Sequence, residues 1–189
     1  MLPTVLAFDT SAAHCAAIVI RGNTTAAYCV EHMARGQAEA LLPLVARVMA
    51  DACARMVDLD AIAVGIGPGN FTGVRIAVAA ARGLALALGR PAIGVTTFEA
   101  LAHNIPRPVT VTTPAPRGLV HRQSFAADGP NQPETLPGEA PPPDPTSLVT
   151  AIGLIATNRL GKPQPRPAPY YLRGPEADAR RDPALRLLP

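Results

Sequence analysis

Two short segments carry residue types that could handle phosphate. Asp9-Thr10-Ser11 closes the first apolar run, and Gly67-Pro-Gly-Asn-Phe-Thr-Gly73 packs three glycines and a proline into seven residues. A carboxylate at a strand end beside hydroxyls could position a metal-bound phosphate. The same residues also make an ordinary Asx or Ser/Thr turn. The glycine loop demands unusual backbone angles and leads into a helix, with Thr72 where an N-cap belongs. A helix N-terminus after such a turn can hold an anion through its free N–H groups. Asp9, Thr10, Gly67, Gly69, Thr72 and Gly73 are therefore the candidate nucleotide-handling residues. The loop lacks the Lys of a Walker A motif, and Thr72 stands where GxGxxG needs its third glycine. A purely structural strand-to-helix elbow competes with phosphate binding here.

Other chemistry has less support. His14, His32, His103 and His121 form neither HxxxH nor HExxH, so no zinc-protease pair is present, and surface or turn histidines are expected. Ser124 and Ser147 lack a nucleophile elbow. Cys15, Cys29 and Cys53 contain no CxxC pair, which fits a reduced, cytoplasmic setting. The reading is of a chain without catalytic residues, bound cofactor or metal.

The elements that must position these residues follow from periodicity. Thr4–Phe8 reads as a buried strand. His14–Ile20 and Thr25–Val30 flank the turn Arg21-Gly22-Asn23 as a hairpin. A helix is expected over Gln37–Arg55, with Leu41, Leu42, Val45, Val48, Met49, Ala52, Cys53 and Met56 at helical spacing. Pro43 suits it if the helix begins near Ala40, and otherwise kinks it. Ala61–Ile66 is a charge-free strand, so central. A second helix runs over Gly73–Leu88 and stops at Gly89. Pro91–Val95 is a strand and Thr97–His103 a short helix. Three strands, then helix, strand, helix, strand, describe a mixed α/β sheet with antiparallel pairs first and crossover helices after. Beyond it, Val109–Thr113 and Leu119–Ala126 read as strands, and Ser147–Arg159 as an amphipathic helix capped by Ser147.

Proline divides the chain, with four before residue 104 and eighteen after it. A boundary near Asn104–Pro108 separates an α/β lobe, 1–104, from a shortened, proline-rich lobe and tail, 105–189. Pro130–Pro145 is expected to be a linker without order of its own. The formal charge of +3 does not call for nucleic acid. From Arg159 onward, however, there are seven basic and three acidic residues. The N-terminus lacks a basic stretch and meets Asp9 early, which argues against a secretory signal. No run of 18 uncharged apolar residues argues for a membrane span.

The second helix has more apolar surface than one sheet can cover. Its only charges, Arg75 and Arg82, share a face. Val74, Ala77, Ala81, Leu84 and Leu88 suit the sheet, while Val78, Ala79, Ala85 and Leu86 flank the arginines. The first helix presents Ala46, Ala50 and Ala54 beside Arg47, Asp51 and Arg55. Small residues let a partner helix approach closely, and arginines can rim the contact. Either a second chain or the second lobe covers these faces. The expected partner surface is Ala46, Arg47, Ala50, Ala54, Arg75, Val78, Ala79, Arg82, Ala85 and Leu86.

Five blocks occur in order: Val5-Leu-Ala-Phe-Asp9-Thr-Ser, Glu39-Ala-Leu-Leu-Pro43, Gly67-Pro-Gly-Asn-Phe-Thr-Gly-Val-Arg75, Ala81-Arg-Gly-Leu-Ala85 and Tyr171-Leu-Arg173. Together they resemble the TsaB (YeaZ) family, densely over 3–103 and thinly afterwards until Pro169–Arg173. The resemblance implies the two-lobed actin/sugar-kinase/Hsp70-like fold, with the second lobe shortened here. It implies a non-catalytic subunit that pairs with a paralogous enzyme, TsaD, through helices of the first lobe. With TsaD and the ATPase TsaE, such a subunit supports threonylcarbamoyl transfer to N6 of a tRNA adenosine. The chain departs from the family at Asn70, usually Ser, at Gln37, commonly His, and over Pro114–His121. A small ATPase or kinase of the same superfamily is the competing reading, with Asp9, Thr10 and the glycine loop on phosphates. An M22-type metallopeptidase is the third. Homodimerisation of the isolated chain through the same helices stays open, as does tRNA contact by Arg173, Arg180, Arg181 and Arg186.

Overall fold

The structure, a computed structural model, describes residues 2–172. Its first sheet comprises β1 (Thr4–Asp9), β2 (His14–Arg21), β3 (Thr24–His32), β4 (Ala61–Gly65) and β5 (Ala92–Val95), in the order β3-β2-β1-β4-β5. β1, β2 and β3 pair antiparallel, whereas β1, β4 and β5 pair parallel. The short β2–β3 turn rests on Gly22 at φ 59°, a left-handed angle that glycine adopts without strain. The parallel pairs need crossovers, which α1 (Gln37–Asp51) and α2 (Phe71–Leu88) supply.

Period-two alternation sorts the strand residues between two helical layers. Leu6 and Phe8, with Ala17, Val19, Ile62 and Val64, face α1 and α2. Val5 and Ala7, with Ile18, Ile20, Ala63 and Ile93, face α4 (Pro145–Arg159). All six residues of β1 are consequently buried. Gly153 lets α4 sit tight on the sheet: a Cβ there would lie 2.7 Å from Ile20 Cγ1.

The chain then builds a second sheet from β6 (Val109–Ala115), β7 (Leu119–Ala126), β8 (Gly129–Pro130) and β9 (Glu134–Pro137), all antiparallel. It meets the first lobe through α3 (Thr97–Leu101): Phe98 and Ala102 pack on Val111 and Phe125. It therefore does not take up the outward faces of α1 and α2 through this cluster. The two sheets lie on either side of residue 104, but α4 follows both in sequence and returns to the first.

Several local expectations are corrected. Part of the proline-rich stretch is ordered as β9, because an edge strand needs few pairing N–H groups and Thr135 and Glu134 bond to His121 and Arg122 of β7. The α4 cap is Asp144, whose carboxylate accepts from Ser147 N at 2.8 Å, not Ser147 itself. The α1 helix begins at Gln37, so Pro43 sits inside it, and it ends at Asp51 rather than Arg55. Leu44, not Leu42, points into the core, on the stripe Leu41, Leu44, Val45, Val48. Cys53 is exposed and lies beyond the helix. Among the described helices, α2 is long and apolar enough to cross a membrane by length and composition. Its inner stripe is instead packed on the sheet in the first core cluster.

Candidate functional site

The loop after β4 and the loop after β1 interlock. A Cβ on Gly65 would lie 1.9 Å from Asp9 Oδ2, one on Gly69 would lie 2.4 Å from Ser11 O, and one on Gly73 would lie 1.8 Å from Thr10 O. Glycine is required at all three for the backbones to meet. The contact is sealed by hydrogen bonds: Asn70 N donates to Ser11 O at 2.6 Å, and Thr10 Oγ1 donates to Gly73 O at 2.7 Å. Thr97 adds a third strut, donating Oγ1 to Pro68 O at 2.9 Å and N to Gly67 O at 2.8 Å. The cap of α2 is Asn70, whose Oδ1 accepts from Gly73 N at 2.9 Å; Thr72 is an exposed residue of the first turn. Asn and Ser cap helices about equally well, which explains how this chain departs from the family residue at position 70.

Asp9 is turned inward. Its Oδ1 accepts from Ser11 N and Ser11 Oγ at 2.9 and 2.8 Å, and shares a hydrogen bond with His14 Nε2 at 2.8 Å. Its Oδ2 is buried without a hydrogen-bond partner, against Gly65. Asp9 and Thr10 are 1% and 0% exposed, so a phosphate reaches them only if the two loops separate. The six candidate nucleotide residues are thus brought together, but the contact between the loops uses the groups a phosphate would need. His14 corrects the expectation of a surface histidine: it is buried on β2. The only signal in the sequence was its place at the head of an otherwise apolar strand. Among the described residues, no three His, Cys, Asp or Glu gather as a metal ligand set.

The outward side of α2 is the open part of this region. Its sheet-facing stripe is Val74, Ala77, Val78, Ala81 and Ala85, rotated from the expected one. Val78 and Ala85, expected on the partner side, therefore belong to the core of their own lobe. Arg75, Ala79, Gly83, Leu86 and Ala87 face water, and Arg82 is half-buried. Leu86 is 82% exposed and Leu42 on α1 54%, large apolar side chains left uncovered. Ala46, Arg47 and Ala50 are exposed beside them on α1, and Ala54 is half-buried. A Cβ on Gly83 would meet nothing within 4 Å, so no contact inside the chain requires that glycine.

Two of the arginines also do work within the chain. Arg47 donates to Glu31 at 2.8 Å and contacts Cys29, both on β3. Arg75 stacks on Phe71, 3.5 Å from its ring centroid, and donates Nε to Tyr171 Oη at 2.7 Å. Tyr170 N donates to Ile66 O at 2.8 Å. The Gly67–Arg75 and Pro169–Leu172 blocks, about 100 residues apart in the chain, therefore meet in space. Arg173, Arg180, Arg181 and Arg186 lie outside the described residues.

The β3-β2-β1-β4-β5 order, with crossover helices on one face, α4 on the other and a second, smaller sheet, defines an actin/sugar-kinase/Hsp70-like α/β protein. YeaZ from Pseudomonas aeruginosa superposes with a TM-score of 0.62 at 30% identity, over 76% of this chain and 72% of that one. This chain belongs to the TsaB (YeaZ) family. An uncharacterised protein of Mycobacterium tuberculosis is 35% identical over 93% of this chain and 94% of its own length. The Escherichia coli tRNA threonylcarbamoyladenosine biosynthesis protein TsaB is 37% identical over 52% of this chain and 42% of its own. The match thus spans less than half of that relative. Residues 30–121 also match the family model described as TsaD: tRNA N6-adenosine threonylcarbamoyltransferase.

Proposed function

We propose that this chain is a non-catalytic pairing subunit of the system that places a threonylcarbamoyl group on N6 of a tRNA adenosine. It pairs with a TsaD-type paralogue through the open faces of α1 and α2, and a TsaE-type ATPase joins the larger assembly. The observation that carries this reading is the uncovered outer side of α2, with Leu86 at 82% exposure beside Ala79 and Gly83. Small residues at the centre permit close helix approach, and Arg47, Arg75 and Arg82 form a charged rim. Ala46 and Ala50 extend the surface along α1, and the half-buried Ala54 follows beyond its end. The match of residues 30–121 to the TsaD model supports a paralogous partner of the same fold. A kinase-like or ATPase role would need Asp9 and Thr10 accessible to phosphate, and both are enclosed.

Reconstitution tests the proposal. With the TsaD-type and TsaE-type proteins, tRNA, ATP and a threonylcarbamoyl donor, product should form only when this chain is added. The chain alone should hydrolyse no ATP. Full product formation without the chain, or ATP hydrolysis by the chain alone that Asp9→Asn abolishes, would overturn it.

A further inference from the structure

A groove of about 610 Å³ opens where α2, β5 and the segment after α4 meet. Arg82, Arg90, Arg159, Lys162 and Arg166 line it, and among the described residues no carboxylate does. Arg159 is occupied: it pairs with Glu99 and donates to Gly94 O at 3.1 Å. Among the described residues, Arg82, Arg90, Lys162 and Arg166 have no acidic partner. The C-termini of α2 and α4 end beside the groove, and each carries about half a negative charge. Two such ends offset about one cation, so helix capping leaves roughly three unaccounted for. Like charges placed together without partners repel, and an anionic ligand removes that cost.

The remaining lining says which anion. Ala85, Leu86, Pro91, Ile93, Leu160 and Pro167 provide an apolar floor with no aromatic ring on which a base could stack. Guanidinium forks match phosphate geometry. The cations come from separate segments, Arg90 after α2 and Lys162 and Arg166 after α4, a distribution that suits an extended polyanion. We propose that the groove is a sequence-independent site for the phosphodiester backbone of RNA, gripped by Arg90, Lys162 and Arg166, with Arg82 left to the rim of the pairing surface. The choice of RNA rests on the tRNA-modification reading above; the cationic groove itself does not.

The test uses the full chain, alone and mixed with the TsaD-type paralogue, and labelled bulk tRNA over a series of salt concentrations. The variant Arg90→Glu/Lys162→Glu/Arg166→Glu changes only exposed side chains and leaves Arg82, on the pairing helix, in place. Its tRNA affinity should fall at least about tenfold, and the slope of log affinity against log salt should flatten by about 2 to 3. Its pairing with the paralogue should match the wild type. If the triple variant unfolds, Arg90→Gln/Arg166→Gln should still flatten the slope by about 1.5. Unchanged affinity and slope would overturn the proposal. So would inorganic tripolyphosphate binding as tightly as tRNA, which marks a compact-anion site, or loss of pairing with tRNA binding intact, which marks a protein contact. If the chain fails to pair at all yet loses tRNA in the variant, the groove stands and the pairing proposal falls.

Discussion

Gly73 and Gly83 lie ten positions apart on α2 and face opposite demands. A methyl group on Gly73 collides with Thr10 O, a backbone atom that cannot move without opening the interlocked loops. Gly73→Ala should therefore destabilise the fold by about 2 kcal/mol or more, read as a lower midpoint in urea unfolding. Gly83 has open space around its Cα, and glycine in a helix interior is worse than alanine by about 1 kcal/mol. Gly83→Ala should raise the midpoint of the isolated chain, and should weaken pairing where the partner helix approaches closely. A stabilised chain with undiminished pairing would place Gly83 outside the contact. Cys15 offers a pH test at the same scale. Burial, with Glu31 and Asp9 nearby, pushes its thiol from the usual 9.0 up to about 12. The folded state then holds a proton that the unfolded state releases between these values, so this group lowers stability as pH rises from about 9 to about 12. Thiol titration of the native chain should accordingly label Cys53 first and Cys15 only on unfolding, since Cys53 is exposed and Cys15 buried. Rapid native labelling of Cys15 would contradict the packing of β2 against α1.

At the level of elements, what the sequence disclosed follows the strength of local pattern. The hairpin of β2 and β3 and the two crossover helices were legible because apolar runs, a glycine turn and helical spacing all agreed. Gly89 marked the end of α2 for the same reason: its φ of 62° is a left-handed cap. The burial of Val78 and Ala85 was not legible. Valine and alanine suit a sheet contact and a partner contact alike, so composition alone did not fix the rotation of α2 about its axis. The docking of α4 on the first sheet was hidden too, and the expectation that this helix is amphipathic is corrected. Leu148, Val149, Ile152, Leu154 and Ile155 are spread around that helix, so no single stripe announces the face it buries. The closed state of the phosphate-like loops was invisible for a different reason. It depends on how Gly65, Gly69 and Gly73 fit against Asp9–Ser11, a relation between segments more than 50 residues apart. The Arg75–Tyr171 contact is longer in range still, and only the joint presence of the two blocks hinted at it.

For the whole molecule, the described residues build a first lobe whose sheet is covered on both faces by its own helices, yet whose α1–α2 layer keeps an apolar outer side. The second sheet is anchored at α3, away from that layer, and the Asp9 and glycine loops hold each other shut. A scaffold needs a firm frame and one adhesive face, and these observations fit the proposed role. The most direct check is light scattering coupled to size exclusion, on the chain mixed with its TsaD-type paralogue, comparing wild type with Ala79→Glu and Leu86→Glu. Both positions face water in the isolated chain, so neither carboxylate disturbs its core. Buried unpaired in a contact, each should weaken pairing at least about tenfold, the equivalent of about 1.4 kcal/mol, with the unfolding midpoint of the lone chain unchanged. A mixed dimer that forms as readily with both substitutions as without them would contradict the account.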